Sequence, residues 1–509
     1  GGHTRRCERR GVPGGYRELN QRMRNHNSYR HILKTTTLFG GVQSLNILMG
    51  VVRTKLVAVL LGTTGMGVLS MCNTWVSLLS DTLGLGLPMS AVKQLSSAYE
   101  QPQPTAFLQQ LCTLRTWTLL AAGLAFAVSF FCALLWHNAS WLSLLPPFAL
   151  VALAVVVPMT VLTAGEMAVL KATRQLKAVA KLSVWNMLLM VMVSAIGFYQ
   201  WGLRAIVPVL LAAAFVQMLF VVGCSFRHFG YKVAFGKDVL RRGWSTLRLG
   251  LAFVAAGMVA NGAAFLVRWW LQWQGDVHVV GLYNAATMLA MTYAGVVFHA
   301  METDYFPRLS GVSHAGKGLN LLVNRQINAC ILLLSPLLLG FMMALPWLIP
   351  LLFSQAFLPM MGMMRGCLVA MFFRIFTLSI EYIALSRGHS VLYLVQEGAS
   401  AVLLVAAVAT GFALGGLTFV GYAIALATAL EALLVLALTH HRYHFMLHRA
   451  TWRWAGAQFL LLLVTLWSCL WCAGPAAWAL GLGAFGLSCT VSWRCWKAFH
   501  ATKDRPKAV

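Results

Sequence analysis

Apolar runs of about twenty residues, the length that crosses a bilayer, follow one another from Thr35 to Trp493, and no polar stretch between them is long enough for a soluble domain. No other property narrows the possible folds as much. Fourteen runs are read, with approximate edges at 35–60, 64–90, 115–136, 143–165, 179–199, 204–224, 247–273, 278–302, 325–346, 350–382, 391–412, 416–438, 455–473 and 475–493. Those near thirty residues need tilt or extend past the lipid. Composition agrees: of 509 residues, 59% are hydrophobic and 10% charged, against about 25% charged in a soluble domain. So few charges cannot build a water-facing surface. The expected fold is therefore an all-α polytopic membrane protein.

The net charge of +26 does not point to nucleic acid, because a nucleic-acid binder gathers its basic residues on one soluble face. Here Lys and Arg fall in short clusters between the spans. One set of loops holds Lys93 and Arg115; Lys171, Arg174, Lys177 and Lys181; Arg227, Lys232, Lys237, Arg241 and Arg242; Arg308, Lys317 and Arg325; Arg387; Arg442 and Arg449; and Arg494, Lys497, Lys503 and Lys507. The alternate set is nearly bare: Thr63–Thr64, His137–Ser140, Gln274–His278, Ala413–Gly416 and Ala473–Pro475, with Arg204 as its exception. Cytoplasmic loops carry the Lys/Arg excess. Both termini then lie inside, which requires an even number of spans.

No cleavable signal peptide is evident. Gly1–Arg22 is polar, rich in Gly and Arg and unlike the rest of the chain; it reads as a disordered cytoplasmic tail or a start-site artefact. The eleven cysteines show no framework spacing. Cys469 and Cys472 form a CxxC inside an apolar run, where they read as small apolar residues rather than a redox or zinc site. His440, His441 and His444 lie in a basic loop and read as solvated. No phosphate-binding GxxxxGK[ST] loop occurs, so neither ATP chemistry nor a metal or cofactor is expected.

The chain repeats itself. The first span reads NILMGVVR, Asn46 to Arg53, and the seventh reads NGAAFLVR, Asn261 to Arg268. A glycine follows each arginine at nearly the same distance, Gly67 in GVLS and Gly281 in GLYN. A basic-x-Leu-Ser segment follows later, Lys93 to Ser96 and Arg308 to Ser310 (there without the intervening residue). These matches suggest duplication of a six-span unit. Six is even, so the copies are parallel, related by an axis along the membrane normal. Two six-helix lobes, residues 31–230 and 231–445, would enclose a central cavity. Residues 446–509 would add two helices and a basic tail, and residues 1–30 form the N-terminal tail.

Several polar residues sit where lipid does not tolerate them. At about 100° per residue, Gln43, Asn46, Gly50 and Arg53 share a stripe about 80° wide on the first span; Lys55 falls elsewhere and reads as snorkelling. On the second span Asn73, Ser77, Ser80, Gly84 and Pro88 share a face, with Asp81 at its edge. Asn261 and Arg268 are nearly aligned on the seventh, and Arg374 and Glu381 on the tenth. A mid-membrane charge costs at least about 2.5 kcal/mol and so faces protein or water. Small polar residues such as Asn73 also serve simply to hold helices together. Arg53, Arg268 and Arg374 outnumber the acids clearly near mid-membrane, chiefly Asp81 and Glu381. A cavity with surplus positive charge suits an anionic substrate, and Arg grips phosphate bidentately. Asp81, Glu381, Glu397 and Glu431 have two readings, as H+ or Na+ coupling residues or as neutralisers of arginine; neutralisation is favoured for Asp81. Glu302 and Asp304 read as interfacial.

Three stretches carry a family likeness. Thr35 to Glu100 (TTTLFGGVQSLNILMGVVRTKLVAVLLG through SAVKQLSSAYE) resembles the N-terminal region of bacterial O-antigen flippases, of the polysaccharide-transporter branch of the multidrug/oligosaccharidyl-lipid/polysaccharide exporter superfamily. LKATRQLKAVAKLSVWN, Leu170 to Asn186, and ALSRGHSVLYLVQE, Ala384 to Glu397, agree with it. The resemblance implies two six-helix lobes in a V and alternating access. It implies an undecaprenyl-pyrophosphate-linked oligosaccharide carried from the cytoplasmic to the periplasmic leaflet of the inner membrane, and no enzymatic activity. Membrane lipid and polysaccharide assembly proteins are the implied partners. Cavity arginines of lipid II flippases in the superfamily carry over to Arg53 and, through the repeat, to Arg268; Arg374 matches a basic position of the branch. The Trp-rich basic segment Trp452 to Trp496 departs from the pattern. Two other readings stay open. A drug or metabolite antiporter of the superfamily would have acids dominating its cavity, and a membrane glycan-processing enzyme would show a large periplasmic loop.

Overall fold

The computed structural model describes residues 28–100, 104–135, 143–230, 233, 236–311, 316–471 and 474–503, and the tail expected at Gly1–Arg22 lies outside them. These residues form helices and no strands. In chain order they are α1 (Ser28–Leu83), α2 (Leu87–Glu100), α3 (Pro104–Leu135), α4 (Ala149–Ala172), α5 (Leu176–Trp201), α6 (Ile206–Phe229), α7 (Lys237–Gln274), α8 (Val277–Ser310), α9 (Lys317–Leu352), α10 (Met361–Ser386), α11 (Ser390–Tyr443), α12 (Arg449–Trp471) and α13 (Pro475–Lys503). The all-helical polytopic expectation is met.

Nine stretches among the described residues are long and apolar enough to cross a membrane. Three of them, Leu45–Leu83, Lys177–Phe229 and Val391–Tyr443, hold 39, 53 and 53 residues, where one crossing takes about 20. Each is broken near its middle. In α1 the break is Gly62, at φ 67° and ψ −164°, and in α11 it is Gly416, at φ 69° and ψ −155°. Both conformations are in the region a Cβ disfavours. The two halves of α11 fold against each other, since a Cβ on Gly411 would lie 2.8 Å from Val420 Cα.

The packing falls into two groups. The first runs from α1 to α6, with α4 against α2, α3 and α6, and α1 against α5. In the second, α10 packs on α8, α9 and α11, α7 packs on α11, and α12 and α13 pack on α9 and on each other. The groups meet chiefly where α1 lies against α7 and α8. Most of α10 is buried, from Met363 to Ala384. Leu48, Phe131, Trp185, Met192, Trp201, Leu414 and Leu460 stand exposed, as lipid-facing side chains do.

Arg115 departs from its reading as a loop charge. It lies inside α3, 2% exposed, with Nε 2.9 Å from Glu166 Oε1 of α4, itself 5% exposed. Arg115 also donates to Ser225 Oγ, at 3.1 Å, and to the Gly230 carbonyl, while Ser225 donates to Glu166 Oε2 at 2.5 Å. The pair clamps α3, α4 and α6. No spacing rule pairs Glu166 with Arg115, because the two lie 51 positions apart.

Candidate functional site

The repeat residues meet where α1, α7 and α8 converge. Ser70 follows Gly67 by three positions in α1, and Asn284 follows Gly281 by three in α8. The glycines make the meeting possible. A Cβ on Gly67 would overlap the Val277 carbonyl oxygen, and a Cβ on Gly281 would overlap the carbonyl oxygen of Thr63. With hydrogen there instead, the backbones touch. Beside this contact Thr63 Oγ1 and His278 Nδ1 are 2.5 Å apart, which ties the two turns together in the loop set poor in Lys and Arg.

Arg268 of α7 reaches into this junction. Its Nε donates to Ser70 Oγ at 2.7 Å, Nη1 to its own helix at the Ala264 carbonyl at 2.9 Å, and Nη2 to Asn284 Oδ1 at 3.2 Å. Ser70 donates its own proton to Asn284 Oδ1 at 2.9 Å. The guanidinium carbon lies 5.8 Å from the centre of the Tyr283 ring. Every one of these partners is neutral. Ser70, Asn284 and Tyr283 are not singled out by the sequence patterns, although the GVLS and GLYN segments contain them.

Arg53 is half-buried on α1, and its Nε and Nη2 have no hydrogen-bond partner among the described residues. The neighbouring Thr54 hydroxyl lies 3.7 Å from Met288 Sδ, one turn along α8 from Asn284. Asn46 Oδ1, on the same stripe of α1, is likewise buried and unpartnered among those residues. Lys55 is exposed. Gln43 lies in α1, but its side chain is outside the described residues, as are those of Glu302 and Asp304 in α8. Asn73 is exposed on α1. Asp81, also exposed, accepts a 2.7 Å hydrogen bond from Asn261 Nδ2. Its bond is thus to an amide across the α1–α7 contact rather than to an arginine.

Arg374 belongs to a different cluster. Its Nη1 lies 3.8 Å from Glu431 Oε1. Glu381, two turns along α10, feels the charges of Glu431, Arg374 and Glu397. Glu431 is 3% exposed and Glu381 5%. Tyr393 donates to Glu397 Oε1 at 2.8 Å. Arg374 and Glu381 of α10 thus share an electrostatic neighbourhood with Glu397 and Glu431, one from each half of α11, and of these acids Glu431 pairs with the guanidinium. So the three arginines read together from sequence divide by surroundings. Among the described residues, Arg268 has only neutral partners, Arg53 has free N–H groups, and Arg374 is outnumbered by acids.

Comparison with curated protein sequences finds no match. Solved structures do share the fold. A lipid II flippase, MurJ in an inward closed conformation, superposes with TM-score 0.64 at 14% identity over 90% of this chain and 99% of its own. An inward-facing multidrug resistance MATE transporter of the MOP superfamily gives 0.58 at 13%, over 78% and 94%. The MATE multidrug transporter DinF-BH gives 0.56 at 13%, over 82% and 96%. At these identities the superpositions show a shared fold. The family model for polysaccharide biosynthesis proteins matches residues 32–313, more than half of the sequence, and the chain belongs to that family.

Proposed function

We propose that the chain is a flippase that carries an undecaprenyl-pyrophosphate-linked oligosaccharide, an O-antigen unit or another surface polysaccharide unit, across a bacterial inner membrane. Transport runs from the cytoplasmic to the periplasmic leaflet by alternating access, with both termini in the cytoplasm. The observation that carries this reading is Arg268, held by three helices and by no carboxylate among the described residues. A guanidinium keeps its charge at any physiological pH. With neutral partners its field is left for a substrate, and a pyrophosphate headgroup answers it with several acceptor oxygens. Arg53, its repeat mate, adds two buried N–H groups free to donate among those residues. An organic cation would be repelled by the same pair, which disfavours the drug-antiporter reading.

The contact of Gly67 and Gly281 with the opposing turns serves as the outer of two gates. The carboxylates around Arg374 supply the drive in this reading. A proton needs one buried carboxyl, whereas a metal cation needs several converging oxygens. The coupling ion in this reading is H+ or Na+. Polysaccharide assembly proteins would take up the product on the far side.

The test is complementation of a strain that lacks the gene. Each charge-assisted hydrogen bond lost is worth about 1.5–3 kcal/mol, roughly 10- to 100-fold in affinity. Arg268→Ala and Arg53→Ala should therefore abolish surface polysaccharide at normal protein amount, and lipid-linked oligosaccharide should accumulate. Normal export by both variants would defeat the reading. Loss of cationic-dye efflux instead would favour the antiporter, and accumulation of an unprocessed glycan outside would favour an enzyme. Transport in proteoliposomes under imposed pH or Na+ gradients separates the two coupling ions.

A further inference from the structure

A second cationic group lies away from the α1–α7–α8 junction, where α10 begins. There α10 runs against the second half of α11 almost without side chains between them. A Cβ on Gly362 would meet Thr418 Oγ1 at 2.6 Å, and one on Gly366 would overlap the backbone of Gly421 and Tyr422. Arg365 precedes Gly366, so the close approach sets Arg365 beside Tyr422 at the edge of the contact. The guanidinium also acts electrostatically on Cys469, near the end of α12. Cys469 in turn lies 3.9 Å from Met343 of α9. Four helices thus meet around one arginine.

Among the described residues no oxygen accepts a hydrogen bond from that arginine. Its Nε is buried without a hydrogen-bond partner among the described residues, and the Tyr422 hydroxyl is too. Nη2 reaches the thioether sulfur of Met361 at 3.6 Å, a weak acceptor. No carboxylate among the described residues pairs with Arg365. A buried donor left unmet costs about 1–3 kcal/mol, and more when it is charged. Two unmet donors at one helix contact, one charged and one phenolic, ask for an anion with more than one oxygen.

The level in the membrane says which anion. Trp347, near the end of α9, stacks on Trp478, near the start of α13, with ring centres 4.7 Å apart. Trp471 closes α12 and is exposed. Tryptophan concentrates at the membrane–water boundary. These three mark the end of the helices where α10 begins, opposite the Lys/Arg-rich loops, so Arg365 stands at headgroup depth. From this we infer that Arg365 and Tyr422 bind the phosphate of a lipid in the outer leaflet, at a site apart from the Arg268 junction.

Native mass spectrometry of the full chain in non-ionic detergent tests this, with phosphatidylglycerol, undecaprenyl pyrophosphate and inorganic phosphate as probes. Arg365→Gln should lower retention of the lipid phosphates about tenfold, the loss of roughly one charge-assisted bond. Tyr422→Phe should lower it less. Arg268→Gln should leave the phosphatidylglycerol adduct in place, which separates this site from the proposed transport site. Arg365→Lys keeps the charge and should keep the adduct, so that misfolding is not mistaken for lost binding. A preference for phosphatidylglycerol or for the pyrophosphate lipid tells which lipid occupies the site. Unchanged lipid retention in both Arg365→Gln and Tyr422→Phe overturns the inference. So does displacement of the lipids by equimolar inorganic phosphate, which would mark a small-anion site.

Discussion

Ser70 of α1 donates a 2.9 Å hydrogen bond to Asn284 of α8, and the two residues hold equivalent places three positions after Gly67 and Gly281. Arg268 bonds both. The junction between the two halves of the chain is therefore hydrogen-bonded through its own repeat. Ser70→Ala removes two bonds of the net, the one Ser70 donates to Asn284 and the one it accepts from Arg268, and leaves Arg268 its bonds to Asn284 and Ala264. Asn284→Leu removes the acceptor that both Ser70 and Arg268 use. Each variant loses two bonds, so at about 0.5–1.5 kcal/mol per neutral bond export should fall several-fold and to a similar degree in both, read as surface polysaccharide per cell. Parental export in both would mean that the net does not steady the junction.

The glycine contact makes a sharper prediction. An alanine at position 67 or 281 pushes its Cβ into an opposing carbonyl, and overpacking of this kind costs about 1–3 kcal/mol. The closed outer end loses that amount and the open one does not, so the open fraction should rise roughly tenfold. Asn73→Cys provides the reporter. A membrane-impermeant maleimide added outside should label it faster when Gly67→Ala is present than in the parent. Identical labelling rates would show that the glycines close nothing.

The buried clamp of α3, α4 and α6 is a matter of stability. Arg115→Leu strands the Glu166 carboxylate in the interior, and breaking a buried pair costs about 3–5 kcal/mol. Protein amount in the membrane and the thermal midpoint should both drop. Combining Arg115→Leu with Glu166→Leu should recover much of the loss. If the double variant is as poor as the single one, packing rather than charge is the cause.

Arg374 can be separated from Arg268 by the same logic. Arg374→Gln removes the guanidinium paired with Glu431 and should lower protein amount. Glu431→Gln in the same chain should restore the amount while leaving gradient-driven export in proteoliposomes impaired. Arg268→Gln should impair export without lowering the amount, since its hydrogen-bond partners are neutral. Restored transport in the double variant would remove Glu431 from the coupling.

The class of fold was legible because charge is so scarce between Thr35 and Trp493, and the loops at Gly62 and Gly416 were legible from their missing Lys and Arg. Two breaks of this kind fall inside continuous helices, where hydropathy alone sees a single run. The repeat found Arg53, Arg268, Gly67 and Gly281 because equal spacing survives along a linear chain. Ser70 and Asn284 sit inside the same segments and escaped notice, since Ser and Asn differ in residue type and only the backbone contact reveals them as partners. Arg374 was read with the other arginines because two of its three acids, Glu397 and Glu431, come from α11, on the far side of a turn. Glu166 escaped for a similar reason, its partner lying on another helix.

The two turns at Thr63–Gly67 and Val277–Gly281 press their backbones together reciprocally, each glycine against the other turn's carbonyl. Such a contact is isologous: the same patch serves as both key and lock, as in a twofold homodimer. A chain of half this length with one such turn would carry both sides of the interface and would pair with a copy of itself. In this chain a side chain gained on either turn is felt by the other. The two glycines therefore act as one constraint: a Cβ on either would displace the carbonyl of the opposing turn.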